Sequence, residues 1–340
     1  SFGKLENINQ LDYEPAFLQN GLIFFDKKGT IIKYNIDNKI IWKNNYYSKA
    51  EKKLKPKLSF SIYNETLLVT DNIAKYYSIN INTGKLNWSK NSTYPFNSAI
   101  KIHKKKFFVV DYKNTLRCYN IEDGSECWNM QTEESFTISD TKFSLIVVGN
   151  LIIFNNSIGD VTAVDTESGL ISWQLPTQSS SIVNKTYKFK NSKLVSDGKS
   201  IFFSNNKNEF YSVDVATGTI NWTNKVNSNL RPIIIKNLIF TISNNGFLFV
   251  IVKNKGNIIR ITDLYKNYKI KNRKNLSPVG FVIGKNKLYV TNNNGKMIVI
   301  DLETGKIIKE VKISSRLVSE PIIFNEKLFV VKNGSIIRYN

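Results

Sequence analysis

Tyr77-Ser-Ile-Asn-Ile-Asn-Thr-Gly84-Lys-Leu-Asn-Trp88 recurs almost residue for residue as Tyr211-Ser-Val-Asp-Val-Ala-Thr-Gly218-Thr-Ile-Asn-Trp222. Two further copies lie between them, Cys118-Tyr-Asn-Ile-Glu-Asp-Gly124-Ser-Glu-Cys-Trp128 and Ala163-Val-Asp-Thr-Glu-Ser-Gly169-Leu-Ile-Ser-Trp173. A shortened copy ends at Trp42, and two later ones keep the frame while replacing tryptophan by Arg260 and Lys309. Successive final positions are separated by 46, 40, 45, 49, 38 and 49 residues. A period near 40–50 is that of a four-stranded propeller blade.

Each copy reads as strand, turn, strand. Upstream runs such as Lys106-Phe-Phe-Val-Val and Lys287-Leu-Tyr-Val-Thr are β-branched and aromatic, with Asn, Gly and Lys at their ends. The glycine suits a turn position with φ above zero, and the Asp or Asn before it can bond backbone amides locally. A short first strand is announced by Pro15, Pro232, Pro278 and Pro321, where a missing N–H is tolerated. Helical spacing is absent from these segments. The expected fold is all-β, an eight-bladed β-propeller of four-stranded antiparallel blades forming one domain over 1–340. The final copy, 315–340, lacks a fourth strand, and residues 1–9 are expected to supply it, which would remove two exposed edges.

Charge is the strongest compositional feature. Lys+Arg number 48 against 27 Asp+Glu, a net charge of +21. Only 6 of the 48 are Arg, leaving 42 Lys. Abundant Lys, Asn and Ile share A/T-rich codons, so the charge reads as genomic base bias more than as a nucleic-acid site, which would favour the bidentate guanidinium. No stretch approaches the ~20 apolar residues of a membrane span. The N-terminus has no basic-then-apolar signal pattern and Ser1 is not a lipidatable cysteine, so the expectation is either a cytosolic protein or a mature or trimmed form whose full-length precursor could carry a lipid anchor.

The residues suggest no catalytic constellation. His103 is the one histidine, in Lys101-Ile-His-Lys-Lys-Lys106, without a second metal ligand or nucleophile beside it. Asp165, Asp214 and Asp301 recur at one repeat position, which argues for a turn role. No phosphate-cradling glycine motif is present. If the hairpin is symmetric about Glu122-Asp123, Cys118 lies directly opposite Cys127, within disulfide range. That bridge would fit an oxidising compartment, and two small apolar residues filling a gap is the alternative.

The copies resemble the PQQ-type propeller repeat, Ala/Tyr-x-Asp-x-x-Thr-Gly-x-x-x-Trp, in which Trp42, Trp88, Trp128, Trp173 and Trp222 would dock between neighbouring blades. Within that group the chain lacks the length, vicinal cysteine pair and acidic calcium cage of the quinoprotein dehydrogenases. Its length and blade count are similar to the BamB family of outer-membrane protein assembly factors. That resemblance implies a non-catalytic periplasmic scaffold without cofactor or metal, monomeric and peripheral to the outer membrane. Its implied partner is a BamA-like barrel-assembly subunit with POTRA domains, with unfolded outer-membrane proteins as further clients and no nucleic acid. It also implies a binding loop at Phe136-Thr-Ile138-Ser139, where the family arginine is missing; the alternation of Phe136 and Ile138 with polar residues reads equally as the first strand of blade 4. At Lys188-Phe-Lys190 the charge of a family Asp-x-Asp pair is reversed. The alternatives are a quinone-linked oxidoreductase and a propeller for polyanions, the latter prompted by Lys52-Lys53-x-Lys55-x-Lys57 and Lys271-Asn-Arg-Lys274.

Overall fold

The computed structural model describes residues 14–133, 142–177, 191–205 and 207–339. Each blade is a run of consecutive antiparallel strands, here lettered a to d in chain order. Blade 1 comprises Ala16–Leu18, Gly21–Phe25, Ile31–Asn35 and Ile40–Asn44, and blade 2 Leu58–Tyr63, Thr66–Asp71, Lys75–Asn80 and Leu86–Asn91. Blade 3 follows with Lys101–His103, Lys106–Val110, Thr115–Asn120 and Glu126–Gln131, and blade 4 with Leu145–Val148, Leu151–Asn155, Val161–Asp165 and Ile171–Leu175. Blade 5 holds Val195–Ser196, Ser200–Ser204, Phe210–Asp214 and Ile220–Asn224, and blade 6 Ile233–Ile235, Leu238–Ile242, Phe247–Val252 and Ile258–Asp263. Blade 7 is Pro278–Gly284, Lys287–Asn292, Lys296–Asp301 and Ile307–Lys312; blade 8 is Ile322–Phe324, Lys327–Lys332 and Ser335–Tyr339.

Two compact units contain these blades. One spans 14–200 and 213–219 and carries blades 1 to 4; the other spans 201–212 and 220–339 and carries blades 6 to 8. Within the first, Phe108, Val110, Leu116 and Cys118 of blade 3 pack on Phe143, Leu145, Ile152, Phe154 and Val164 in and beside blade 4. Within the second, Phe240, Ile242, Leu248 and Val250 of blade 6 meet Phe281, Leu288, Val290, Ile298 and Ile300 of blade 7. Strands b and c are therefore buried on both faces. That explains their near-continuous apolar runs, whereas strand d is mostly exposed.

The sequence expectation of an all-β, eight-bladed propeller is met. Proline precedes or opens strand a at 15, 232, 278 and 321. Blade 8 shows three strands among the described residues, and the strand expected from 1–9 lies outside them. One feature was not anticipated. In blades 1 to 4, 6 and 7, the pairing of strands c and d slips by one residue immediately before the docking position, as in Ser78↔Trp88 followed by Ile79↔Leu86. Such a bulge bends the outer strand and re-aims the next side chain.

Candidate functional site

The blade junctions follow one construction. The Trp42 indole N–H donates to the Ile81 carbonyl of the next blade at 3.1 Å, and Trp88 does the same to Ile121 at 3.0 Å. Trp128 reaches Thr166 at 3.3 Å, Trp173 reaches Val215 at 2.8 Å and Trp222 reaches Lys253 at 2.9 Å. Each accepting carbonyl belongs to the residue just after strand c. The ring then lies on the turn glycine three residues later. A Cβ on Gly84 would stand 2.8 Å from Trp42 Cδ2, and one on Gly218 2.6 Å from Trp173 Cδ2. The glycine is thus required twice: its φ is +68° or +73°, and its bare face is the floor for the neighbouring indole. Asp165, Asp214 and Asp301 hold this turn. Asp214 Oδ1 accepts from the amides of Ala216 and Thr217 and from the Thr217 hydroxyl at 2.9–3.0 Å. These hydrogen bonds depress the three carboxyl pKa values, as expected of a turn residue.

Arg260 continues the series without an indole. Its guanidinium donates to the Leu302 carbonyl at 2.7 Å and also to the Glu303 carbonyl, and it lies over Gly305. Sequence reading counted this position only as a lost tryptophan. Arg260→Ala is expected to cost about 1–2 kcal/mol, because two carbonyls lose charged donors. Arg260→Trp should stay within about 1 kcal/mol of the wild type, since Gly305 leaves the floor open. Urea unfolding of both variants checks this, and an alanine variant as stable as the wild type would contradict it.

A second clamp appears in two connections. Tyr47, five residues after Trp42, lies on Gly29 of its own blade and donates its hydroxyl to Asp71 Oδ2 of blade 2 at 2.6 Å. Tyr265, five residues after Arg260, lies on Gly246 and donates to Asn292 Oδ1 of blade 7 at 2.7 Å. An aromatic at that offset was the available sequence signal. Burial raises the Asp71 pKa despite hydrogen bonds from Tyr47 and the amides of Lys75 and Ile73. The folded chain therefore holds this proton more tightly than the unfolded one. Ionised Asp71 lowers stability above its folded pKa, and that loss is relieved as pH falls through it. Asp71→Asn, the pairing already used at Asn292, should gain on the wild type at pH 7 and lose that advantage toward pH 4. Asp71→Ala should be about 1–3 kcal/mol less stable at pH 7, with a hydroxyl and two amides unpartnered. Denaturant titrations across this range decide it: a pH-independent gap between Asp71→Asn and wild type would reject the ionised, buried carboxylate.

His103 ends strand a of blade 3 opposite Lys106, half-buried, with Nε2 enclosed and unpartnered among the described residues. The cysteines stand otherwise than symmetric pairing implies. Cys118 faces Trp128, and Cys127 occupies the bulge, where its thiol lies 3.5 Å from Asn120 Oδ1. Both are free thiols in this structure, and burial together with the neighbouring Cys127 thiol raises the Cys118 pKa. A Cys118–Cys127 bridge in the native compartment stays a proposal. Thiol titration of unfolded, unreduced protein tests it: none supports the bridge and two reject it.

Two long connections, 132–144 and 176–194, lead into and out of blade 4, and their described parts are 132–133, 142–144, 176–177 and 191–194. Their bases are fixed: Phe143 bridges to Ser98, Leu194 N donates to Ser144 Oγ, and Asn191 Nδ2 donates to the Gly159 carbonyl. Phe136, Ile138 and Lys188–Lys190 lie within these connections but outside the described residues. A quinone beside calcium, which the dehydrogenase branch would require, needs converging oxygen donors. Among the described residues no group of three or more His, Cys, Asp or Glu could hold a metal ion. No helix among them is long and apolar enough to cross a membrane.

Blades joined by indole-on-glycine docking define a propeller of PQQ-type repeats. The family model described as outer membrane protein assembly factor BamB matches residues 27–262 and 271–340. The chain belongs to that family. Among solved structures it is similar to BamB from Moraxella catarrhalis, with a TM-score of 0.78 at 14% identity, covering 99% of both chains. It also resembles a europium-containing methanol dehydrogenase, with a TM-score of 0.72 at 11% identity over 96% of this chain and 83% of the other. A quinohemoprotein alcohol dehydrogenase of Pseudomonas putida gives 0.67 at 11% identity, over 96% and 70%. These likenesses establish the fold alone. No curated protein sequence matches the chain.

Proposed function

We propose that this chain is a non-catalytic periplasmic scaffold of the outer-membrane β-barrel assembly machinery, binding the POTRA region of the barrel-assembling subunit. The observation that carries the reading is the assembly-factor family match across residues 27–262 and 271–340. Two long connections into and out of blade 4 give a propeller of this kind a place to hold a partner, since binding residues concentrate on loops set by a rigid scaffold. Phe136 and Ile138 are the proposed apolar contacts there. The same reading makes the chain a monomer peripheral to the outer membrane, with residues 1–9 completing the 315–340 blade within a single domain.

Capture from native envelope followed by mass spectrometry tests it. Recovery of a POTRA-bearing barrel protein supports the scaffold, and recovery of nucleic acid alone overturns it. Phe136→Ala with Ile138→Ala should weaken binding to the isolated POTRA region by roughly tenfold or more, as central apolar contacts do. Undiminished affinity would move the contact elsewhere.

A further inference from the structure

We propose that each of the two helical inserts of this chain, taken by itself, is a contact for anionic lipid. Each interrupts the repeat in a connection between blades: Lys49–Lys53 between blades 1 and 2, and Ile270–Arg273 between blades 6 and 7. The family match is interrupted over 263–270, up to the first residue of the second insert. Neither is needed to build a blade, because other blades are joined without one.

Both inserts combine an exposed aliphatic tip with lysines lacking any ion pair. Leu54 is 62% exposed and Ile270 78%. Around Leu54 stand Lys49, Lys52, Lys53 and Lys55; around Ile270 stand Lys266, Lys269, Lys271 and Lys274. Among the described residues none of these eight forms a salt bridge, whereas Lys104 and Lys106 pair with Glu167 and Lys296 with Glu310. The acidic or basic groups that are paired within the inserts serve to hold them. Glu51 closes a capping box with Ser48 and bonds Lys75 at 3.1 Å. Arg273 binds Asp263 and the carbonyls of Tyr268 and Lys266 at 2.7–2.9 Å. The tips are therefore presented on fixed bases, the first beside the Tyr47 clamp and the second beside Tyr265.

An aliphatic tip within a cluster of unpaired cations is matched by a headgroup boundary of anionic lipid, which accepts both. A nucleic-acid backbone would satisfy the lysines and leave Leu54 and Ile270 in water.

Cosedimentation of the whole chain with vesicles of 70:30 phosphatidylcholine:phosphatidylglycerol, against phosphatidylcholine alone, tests this at 20 and 200 mM salt. Binding is expected on the mixed vesicles only, and weaker at high salt. Lys52→Gln, Lys53→Gln and Lys55→Gln together should reduce partition at least tenfold, and so should Lys266→Gln, Lys269→Gln and Lys271→Gln. Leu54→Ser and Ile270→Ser should each reduce vesicle binding while leaving binding to soluble polyglutamate unchanged. No association at 20 mM salt, or association indifferent to the insert variants, overturns the proposal. So does equal binding to polyglutamate and vesicles with the serine variants silent, which would assign the surface to an acidic protein. POTRA capture is measured without lipid, so either reading can fail alone.

Discussion

Trp173→Ala is expected to destabilise the chain by about 3–5 kcal/mol, among the largest effects of any single truncation. The side chain is only 8% exposed, lies on Gly218 and donates to Val215 at 2.8 Å. Its removal opens a void between blades 4 and 5 and leaves a carbonyl without its donor. Trp173→Phe keeps most of the packing and loses the N–H, so it should cost less, about 1–2 kcal/mol. Urea unfolding monitored by circular dichroism measures both. A loss below 1 kcal/mol for the alanine variant would show that the indoles decorate the junctions without securing them.

Gly218→Ala should cost about 2–5 kcal/mol for two separable reasons. A residue with a Cβ pays ~1–2 kcal/mol at a φ of +73°. The new methyl, 2.6 Å from Trp173 Cδ2, must also displace the ring, at ~1–3 kcal/mol. Only the second cost depends on the indole. In the double variant Trp173→Ala, Gly218→Ala the methyl meets a void, so the combined loss should fall short of the sum by about 1–3 kcal/mol. Strict additivity in this cycle would mean that the glycine serves the turn alone.

The contrast between these two variants shows what was legible in the repeat. Periodicity located the glycine and the tryptophan, and turn chemistry gave the glycine its first role. Its second role was hidden, because Gly218 floors the indole of the copy before it, 45 residues upstream at Trp173. Arg260 illustrates the same limit. A substitution table scores it as a missing tryptophan, yet a guanidinium reaching two carbonyls performs the same bridging. The register at Cys127 differs from symmetric pairing for a local reason. Symmetric pairing was assumed across a hairpin in which a bulge inserts one residue before the docking position, so Cys118 faces Trp128 instead. For the candidate partner site, the residue pattern reached Phe136 and Ile138 only through family likeness, whereas the anchoring of their connection to Ser98 and Asn155 is a property of the folded chain.

The amino-acid sequence alone determined the number of blades, their strand order, the turn residues and the absence of a local catalytic motif. All of these are written in short-range alternation and in a period that neighbouring residues carry. Tertiary structure alone decided which carbonyl each indole meets, that Tyr47 and Tyr265 clamp the next blade, and that eight lysines around Leu54 and Ile270 form no ion pair among the described residues. Those depend on side chains tens of residues apart being brought within 3.3 Å, or kept from it, and one-dimensional spacing holds no record of that distance.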